Sequence, residues 1–175
     1  MRNAVERLST YKSVHLNTRN VMTHFIGVPL IVLSVFILLA LTPVAILFGD
    51  YRLEIDMLAV IALSVYYLAL NIRLAFGLIV SMALMFFIAN GIVQWSGALW
   101  LAIGLFVTGW IFQFVGHYFE KAKPAFFDDL DQLLIGPFFL MAELYFNFGW
   151  LSSLEDKITP IALGKRQLME EAKLS

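Results

Sequence analysis

The sequence predicts an all-α protein: an integral membrane helical bundle with four transmembrane helices, an N-terminal amphipathic helix and a C-terminal, partly inserted helix. Three observations predict it. Apolar residues make up 61% of the chain and charged ones 14%, and the mean hydropathy is +0.82, whereas a soluble domain carries about 45–50% and about 25%. No charged residue occurs between Asn20 and Gly49 or between Leu74 and Phe119, stretches ample for spans of about 20 apolar residues. Short polar punctuation at 50–56, 71–73 and 90–97 divides the apolar runs.

Residues 2–14 place Val5, Leu8 and Tyr11 on one side and Arg2, Glu6, Arg7 and Lys12 mostly elsewhere, an amphipathic helix expected to lie along the membrane surface. Span 1 follows at about 25–45. Asp50–Asp56 form a charged loop. Met57–Leu70 and Leu74–Ala89, separated by Asn71-Ile72-Arg73, make a helical hairpin of spans 2 and 3. After a turn at Asn90–Gly97, span 4 occupies about 98–116, and Pro124 stops its helix soon after Glu120. Asp128, Asp129 and Asp131 are natural helix-start residues for the apolar segment Leu133–Leu151, whose Gly136-Pro137, Glu143 and Asn147 point to a helix that enters the membrane only in part. The remainder is polar and mixed in charge. The whole is read as one membrane-embedded domain, 1–175: an interfacial helix 1–19, a helical bundle 20–151 and a polar cytoplasmic tail 152–175.

Composition also excludes. With 12 Lys and Arg against 13 Asp and Glu there is no basic surplus for nucleic acid. The absence of cysteine removes disulfides, thiolate nucleophiles, iron–sulfur clusters and thiolate zinc sites. The N-terminus is read as mature, because the residues before the first apolar run lack a cleavage site. A homo-oligomer is left open.

Positive charge decides orientation. Arg2, Arg7, Lys12 and Arg19 precede span 1, Arg73 lies between spans 2 and 3, and Lys121 and Lys123 follow span 4, while the other side offers only Arg52. Four spans with both termini cytoplasmic satisfy these counts, in a bacterial inner membrane or, for a eukaryote, the endoplasmic reticulum. His24 then opens span 1 and His117 closes span 4 on the same face, with His15 just outside it. These are the only 3 histidines in the chain.

On a straight helix His15 and His24 would lie on opposite sides, so a break is required between them, and Asn17-Thr18 is a capping pair at which a new helix can start. Gln113, His117 and Glu120 follow at i, i+4 and i+7, one stripe of the fourth span. Lipid would not tolerate such stripes, so they face the bundle. Neutral imidazoles are a common ligand set for zinc and for non-haem iron, and amides or carboxylates commonly hold each ligand's other ring nitrogen. Asn20, Gln113, Glu120 and Glu143 are the candidates for that second task; Glu143 could instead pair with a nearby Lys.

The patterns Tyr11-x3-His15-x4-Asn20-x3-His24-x2-Gly27-x-Pro29, Gln113-Phe114-x-Gly116-His117-x2-Glu120-x3-Pro124-Ala125 and Gly136-Pro137-x-Phe139-x3-Glu143 resemble, in that order, the signature blocks of the membrane-bound 2-hydroxy-fatty-acid dioxygenase family. The resemblance runs from Tyr11 to about Glu143. It implies Fe(II)-dependent α-oxidation, in which a long-chain 2-hydroxy fatty acid of the lipid bilayer loses one carbon using O2 and no 2-oxoglutarate. Carried over, it makes His15, His24 and His117 the iron ligands that leave room for substrate chelation; Glu120 and Glu143 are the catalytic candidates beside them. Some relatives carry a further histidine that this chain lacks, so a fourth ligand would be a carboxylate, an amide or water. Three other readings stay open: a haem-binding membrane protein, a zinc-dependent lipid hydrolase and a non-enzymatic membrane scaffold.

Overall fold

A computed structural model describes residues 4–173 apart from Asp50 and Asp128. The orientation charge Arg2, the loop residue Asp50 and the helix-start residue Asp128 therefore lie outside the described residues. The chain forms α1 (Ala4–Lys12), α2 (Thr18–Ala40), a hairpin of β1 (Ala45–Phe48) and β2 (Tyr51–Glu54), α3 (Ile55–Leu70), α4 (Ile72–Ile92), α5 (Ala98–Glu120), a 3-10 turn (Ala125–Phe127), α6 (Gln132–Asn147) and α7 (Ser152–Glu171). Three of these, α2, α4 and α5, are long and apolar enough to cross a membrane. The fourth expected span is α3, whose 16 residues rise only about 24 Å against a hydrocarbon core of about 30 Å.

Contacts divide the chain into two units, Met1–Phe25 with Gln113–Ser175, and Ile26–Phe112. In the second unit α3 and α4 pack as the predicted hairpin. Asn71 sits between them and caps α4, its side-chain oxygen accepting from the Arg73 and Leu74 amides. Asp56, buried at the start of α3, accepts from Asn90 Nδ2 at 2.9 Å near the end of α4. Phe76, Phe87 and Trp100 stand exposed, as lipid-facing side chains do. Span 1 is expected at 25–45, but α2 starts and stops earlier: Pro43 disfavours helix at Thr42, and the chain turns into the hairpin. That hairpin, with Ala45 opposite Glu54 and Phe48 opposite Tyr51, replaces part of the loop expected there. Gly49 adopts the positive φ (59°) that a tight hairpin turn demands.

The first unit holds α1, the start of α2, the end of α5, α6 and α7. Ala4, Leu8 and Tyr11 form the buried face of α1, and α1 packs against both α6 and α7. The apolar side of the expected amphipathic helix is thus covered by protein. Arg7 bridges to Asp131 at 3.0 Å and Lys12 pairs with Glu143, so α1 is tied at two points to α6 and the residue before it. Within the polar segment 152–175, for which the sequence suggests no element, Ser152–Glu171 form α7, with Ile158 and Ala162 fully buried one turn apart.

Candidate metal centre

Three helix ends bring the histidines together. Helix α1 ends at Lys12 and α2 begins at Thr18, the break that the spacing of His15 and His24 requires. Asn17 caps the new helix, its Oδ1 accepting from the Arg19 amide at 2.9 Å. His15 therefore lies in the connection, and His24 on the second turn of α2. His117 comes from the last turn of α5, which approaches α2 closely because residue 116 is glycine: a Cβ there would collide with Thr23 Oγ1 and Asn20 Oδ1 and lie 3.2 Å from His24 Nδ1.

All three imidazoles are buried, with ligand atoms within 4.8 Å of one another. Ring centroids are 4.6 Å apart for His15 and His24, 4.8 Å for His15 and His117, and 5.2 Å for His24 and His117. Each ring has its Nδ1 beside a backbone carbonyl: His15 with Tyr11 O at 2.7 Å, His24 with Asn20 O at 2.9 Å, and His117 with Ala122 O at 3.2 Å. A carbonyl only accepts, so every Nδ1 carries the proton and donates it, and every Nε2 keeps its lone pair. His15 Nε2 and His24 Nε2 then face each other at 3.1 Å with no proton between them. Two lone pairs at that distance repel, and a cation between them relieves the repulsion. Nitrogens bound side by side to one ion at about 2.1 Å stand about 3 Å apart, so the donor set fits a metal ion.

Burial, then the neighbouring His24 and His117 rings, hold the pKa of His15 well below its ordinary value, while the hydrogen bond to the Tyr11 carbonyl opposes the shift. The imidazole is thus neutral at pH 7, the form that binds metals. Tyr11 stacks flat on it, centroids 4.0 Å apart and planes within 3°, and burial raises the phenol above its usual range. Phe139 of α6 closes the other contact, 5.5 Å from the His15 ring.

The polar neighbours have other tasks than the one expected of them. Among the described residues no amide or carboxylate side chain takes a ring nitrogen; carbonyls already do. Glu120 instead receives the backbone amides of Leu16 at 3.1 Å and Asn17 at 2.8 Å, together with Asn20 Nδ2 at 3.1 Å. It therefore fixes the connection carrying His15 and the turn carrying His24. Asn20 places its carbonyl, not its side chain, on His24. Glu143 is taken up by Lys12, whose ammonium also lies 5.8 Å from the Phe139 ring centroid. Gln113, buried on the His117 stripe, leaves Nε2 without a partner among the described residues, as does Asn20 its Oδ1.

Two contributors escape a reading of the sequence alone. Lys121 takes a left-handed conformation (φ 55°) that ends α5 and turns the Ala122 carbonyl back onto His117; Pro124 is the only signal of that stop. Arg166 of α7 reaches Glu120 Oε1 at 3.3 Å and the Glu120 carbonyl at 3.0 Å. Its signal is the spacing of Ile158, Ala162 and Arg166 along one helix face.

A family model described as 2-hydroxy-palmitic acid dioxygenase Mpo1-like matches residues 1–148. The chain is also 35% identical over 155 residues to the 2-hydroxy-palmitic acid dioxygenase MPO1 of Saccharomyces cerevisiae, covering 85% of this chain and 83% of the yeast protein. No solved structure matches.

Proposed function

We propose a function from one premise: the chain belongs to the 2-hydroxy-palmitic acid dioxygenase Mpo1-like family. It is a dioxygenase, and on our reading it shortens a long-chain 2-hydroxy fatty acid by one carbon, with Fe(II) held by His15, His24 and His117. The observation that carries this reading is the convergence of three buried imidazoles, each with its Nδ1 beside a backbone carbonyl. Held by these three imidazoles, Fe(II) would supply an electron path between the 2-hydroxy acid and O2.

The stoichiometry needs no further reagent. One O2 accepts the electrons released when the hydroxyl-bearing carbon becomes a carboxyl carbon and the original carboxyl departs as carbon dioxide, with water as the remaining product. Neither a reductant nor a 2-oxo acid is consumed.

The chain's own groups bind and orient. Gln113 Nε2 is a buried donor with no acceptor among the described residues, a state that costs about 1–3 kcal/mol; a substrate carboxylate or hydroxyl would satisfy it. Glu120 and Glu143 act through the segments they hold rather than on the substrate. Met22 of α2 and Phe114 of α5, exposed near the histidines, offer an apolar surface to the acyl tail. The tail can then remain among lipids while the polar head enters the site. The excess of Lys and Arg around this end supports a cytoplasmic position for it and for both termini.

Geometry weighs against the haem reading. Imidazoles on opposite faces of a porphyrin need about 4 Å between ligating nitrogens, with bonds near 2 Å on each side, so His15 and His24, 3.1 Å apart, do not fit as a haem pair; for the pair His24 and His117, a Soret band in the purified protein would favour haem. The test is direct: detergent-purified protein given Fe(II), O2 and 2-hydroxypalmitate is expected to form the fifteen-carbon acid, and His15→Ala, His24→Ala or His117→Ala to abolish it. Full activity in all three variants, or turnover without O2, would overturn the proposal; the latter, with zinc in the protein, favours a hydrolase.

A further inference from the structure

We propose that Arg166 is a positioning residue for the three-histidine centre, contributed by α7 from beyond residues 1–148 that the family model matches. The inference rests on the reading of that centre as a metal site. Arg166 acts through Glu120, whose carboxylate joins the end of α5 to the connection before α2. That carboxylate must hold one orientation to accept Leu16 N on Oε1 and Asn17 N on Oε2, at 3.1 and 2.8 Å. Arg166 supplies the constraint from the opposite side. Its Nη1 donates to Glu120 Oε1 at 3.3 Å and to the Ser13 carbonyl at 3.5 Å, and its Nη2 donates to the Glu120 carbonyl at 3.0 Å.

The contacts link parts that carry different ligands. Ser13 is two residues before His15, Glu120 three after His117, and Asn20, which also donates to Glu120, holds His24 by its carbonyl. The Glu120 side chain is only 2% exposed and that of Arg166 16%, so the pair is shielded from water. A planar guanidinium can meet these divergent acceptors at once, whereas a lysine ammonium acts as a point charge. Helix α7 is itself anchored: Ile158 and Ala162 are fully buried and Lys165 Nζ donates to Thr10 Oγ1 at 2.6 Å. The polar C-terminal helix is therefore a strap across the segment that presents His15.

The test uses the full-length protein in detergent, with R166A, R166K and, as a control for change on the exposed face of α7, Q167A. Two readouts are taken: hydrogen exchange at the Leu16 and Asn17 amides without metal, and a visible-absorbance titration with Co(II). R166A is expected to exchange faster at both amides and to bind Co(II) about 10–100-fold more weakly, the usual effect of losing a group that orients a ligand. R166K is expected to recover part of each loss, and Q167A to match the wild type. Unchanged amide protection and Co(II) affinity in R166A would overturn the proposal; should R166A unfold, R166K at wild-type values on both readouts does so. A wild type that takes up no Co(II) sinks the metal reading instead, and equal amide protection in wild type and R166A then sinks the strap as well.

Discussion

Adding one methyl group at Gly116 tests whether the close approach of α2 and α5 sets the geometry of the centre. The Cβ of Gly116→Ala would overlap Thr23 Oγ1 and Asn20 Oδ1 and press on His24 Nδ1 at 3.2 Å. Thr23 Oγ1 is held by the Asn20 carbonyl at 2.7 Å, and Asn20 Nδ2 by Val14 O and Glu120, so neither atom swings away freely. Restoring ordinary separation of about 3.5 Å requires the two helices to part by roughly 1 Å where one carries His24 and the other His117. Overpacking of this kind costs about 1–3 kcal/mol of stability, and a misplacement of about 1 Å in a catalytic site can cost about 100-fold in rate. Gly104, on the same helix, has open space where a Cβ would stand, with nothing within 4 Å, so Gly104→Ala is the matched control; it should gain about 0.5–1 kcal/mol from helix propensity. The assay is formation of the fifteen-carbon acid from 2-hydroxypalmitate beside thermal unfolding, with an expected fall in turnover of about 100-fold for G116A and none for G104A. Wild-type turnover and melting temperature in G116A would refute the idea that helix approach at this level holds the ligands in register.

Chelation should lower the melting temperature of the metal-loaded wild type, because an ion bound only by the folded state stabilises it by mass action. The same chelator should leave His24→Ala unmoved, which differential scanning fluorimetry would show. Lys12→Met strands the Glu143 carboxylate, whose side chain is 16% exposed; a loss of about 1–3 kcal/mol is expected by denaturant titration, and the double change with Glu143→Gln should recover much of it. Asn71→Ala removes the cap of α4 and should cost about 1 kcal/mol with no change in Co(II) affinity, which metal titration against the wild type would check.

The helices are legible in the sequence because a membrane forces backbone polar groups to be satisfied within continuous apolar segments, and α2, α4 and α5 have that form. Boundaries are legible where one residue type dictates them. Asn17 caps α2 as its side chain predicts, whereas Pro43, set within an uncharged apolar run, ends the helix before residue 45 and so shortens span 1. The β1–β2 hairpin escapes prediction although Gly49-Asp50 is a turn pair, because its few residues sit between long apolar runs that dominate any window. Helix α7 escapes for a different reason. Its buried residues, Ile158 and Ala162, are few among charges, and Pro160 reads as a breaker, yet helix persists through it.

The candidate site shows the same division between side chains and backbone. Three histidines in a largely apolar chain are conspicuous, since each needs a partner to be buried, and the charge asymmetry of the sequence predicts two of them at one membrane level. Their orientation has no comparable signature. Amides and carboxylates are the expected partners of the ring nitrogens because they are the polar side chains nearby, but the carbonyls of Tyr11, Asn20 and Ala122 hold those positions, and a carbonyl is present at every residue whatever its type. With the rings satisfied by backbone, Glu120 is released from the ligands and becomes the joint between the segments that bear them. That is why a carboxylate three residues from His117 can govern His15 without touching it, and why its own partner can come from a helix remote in sequence.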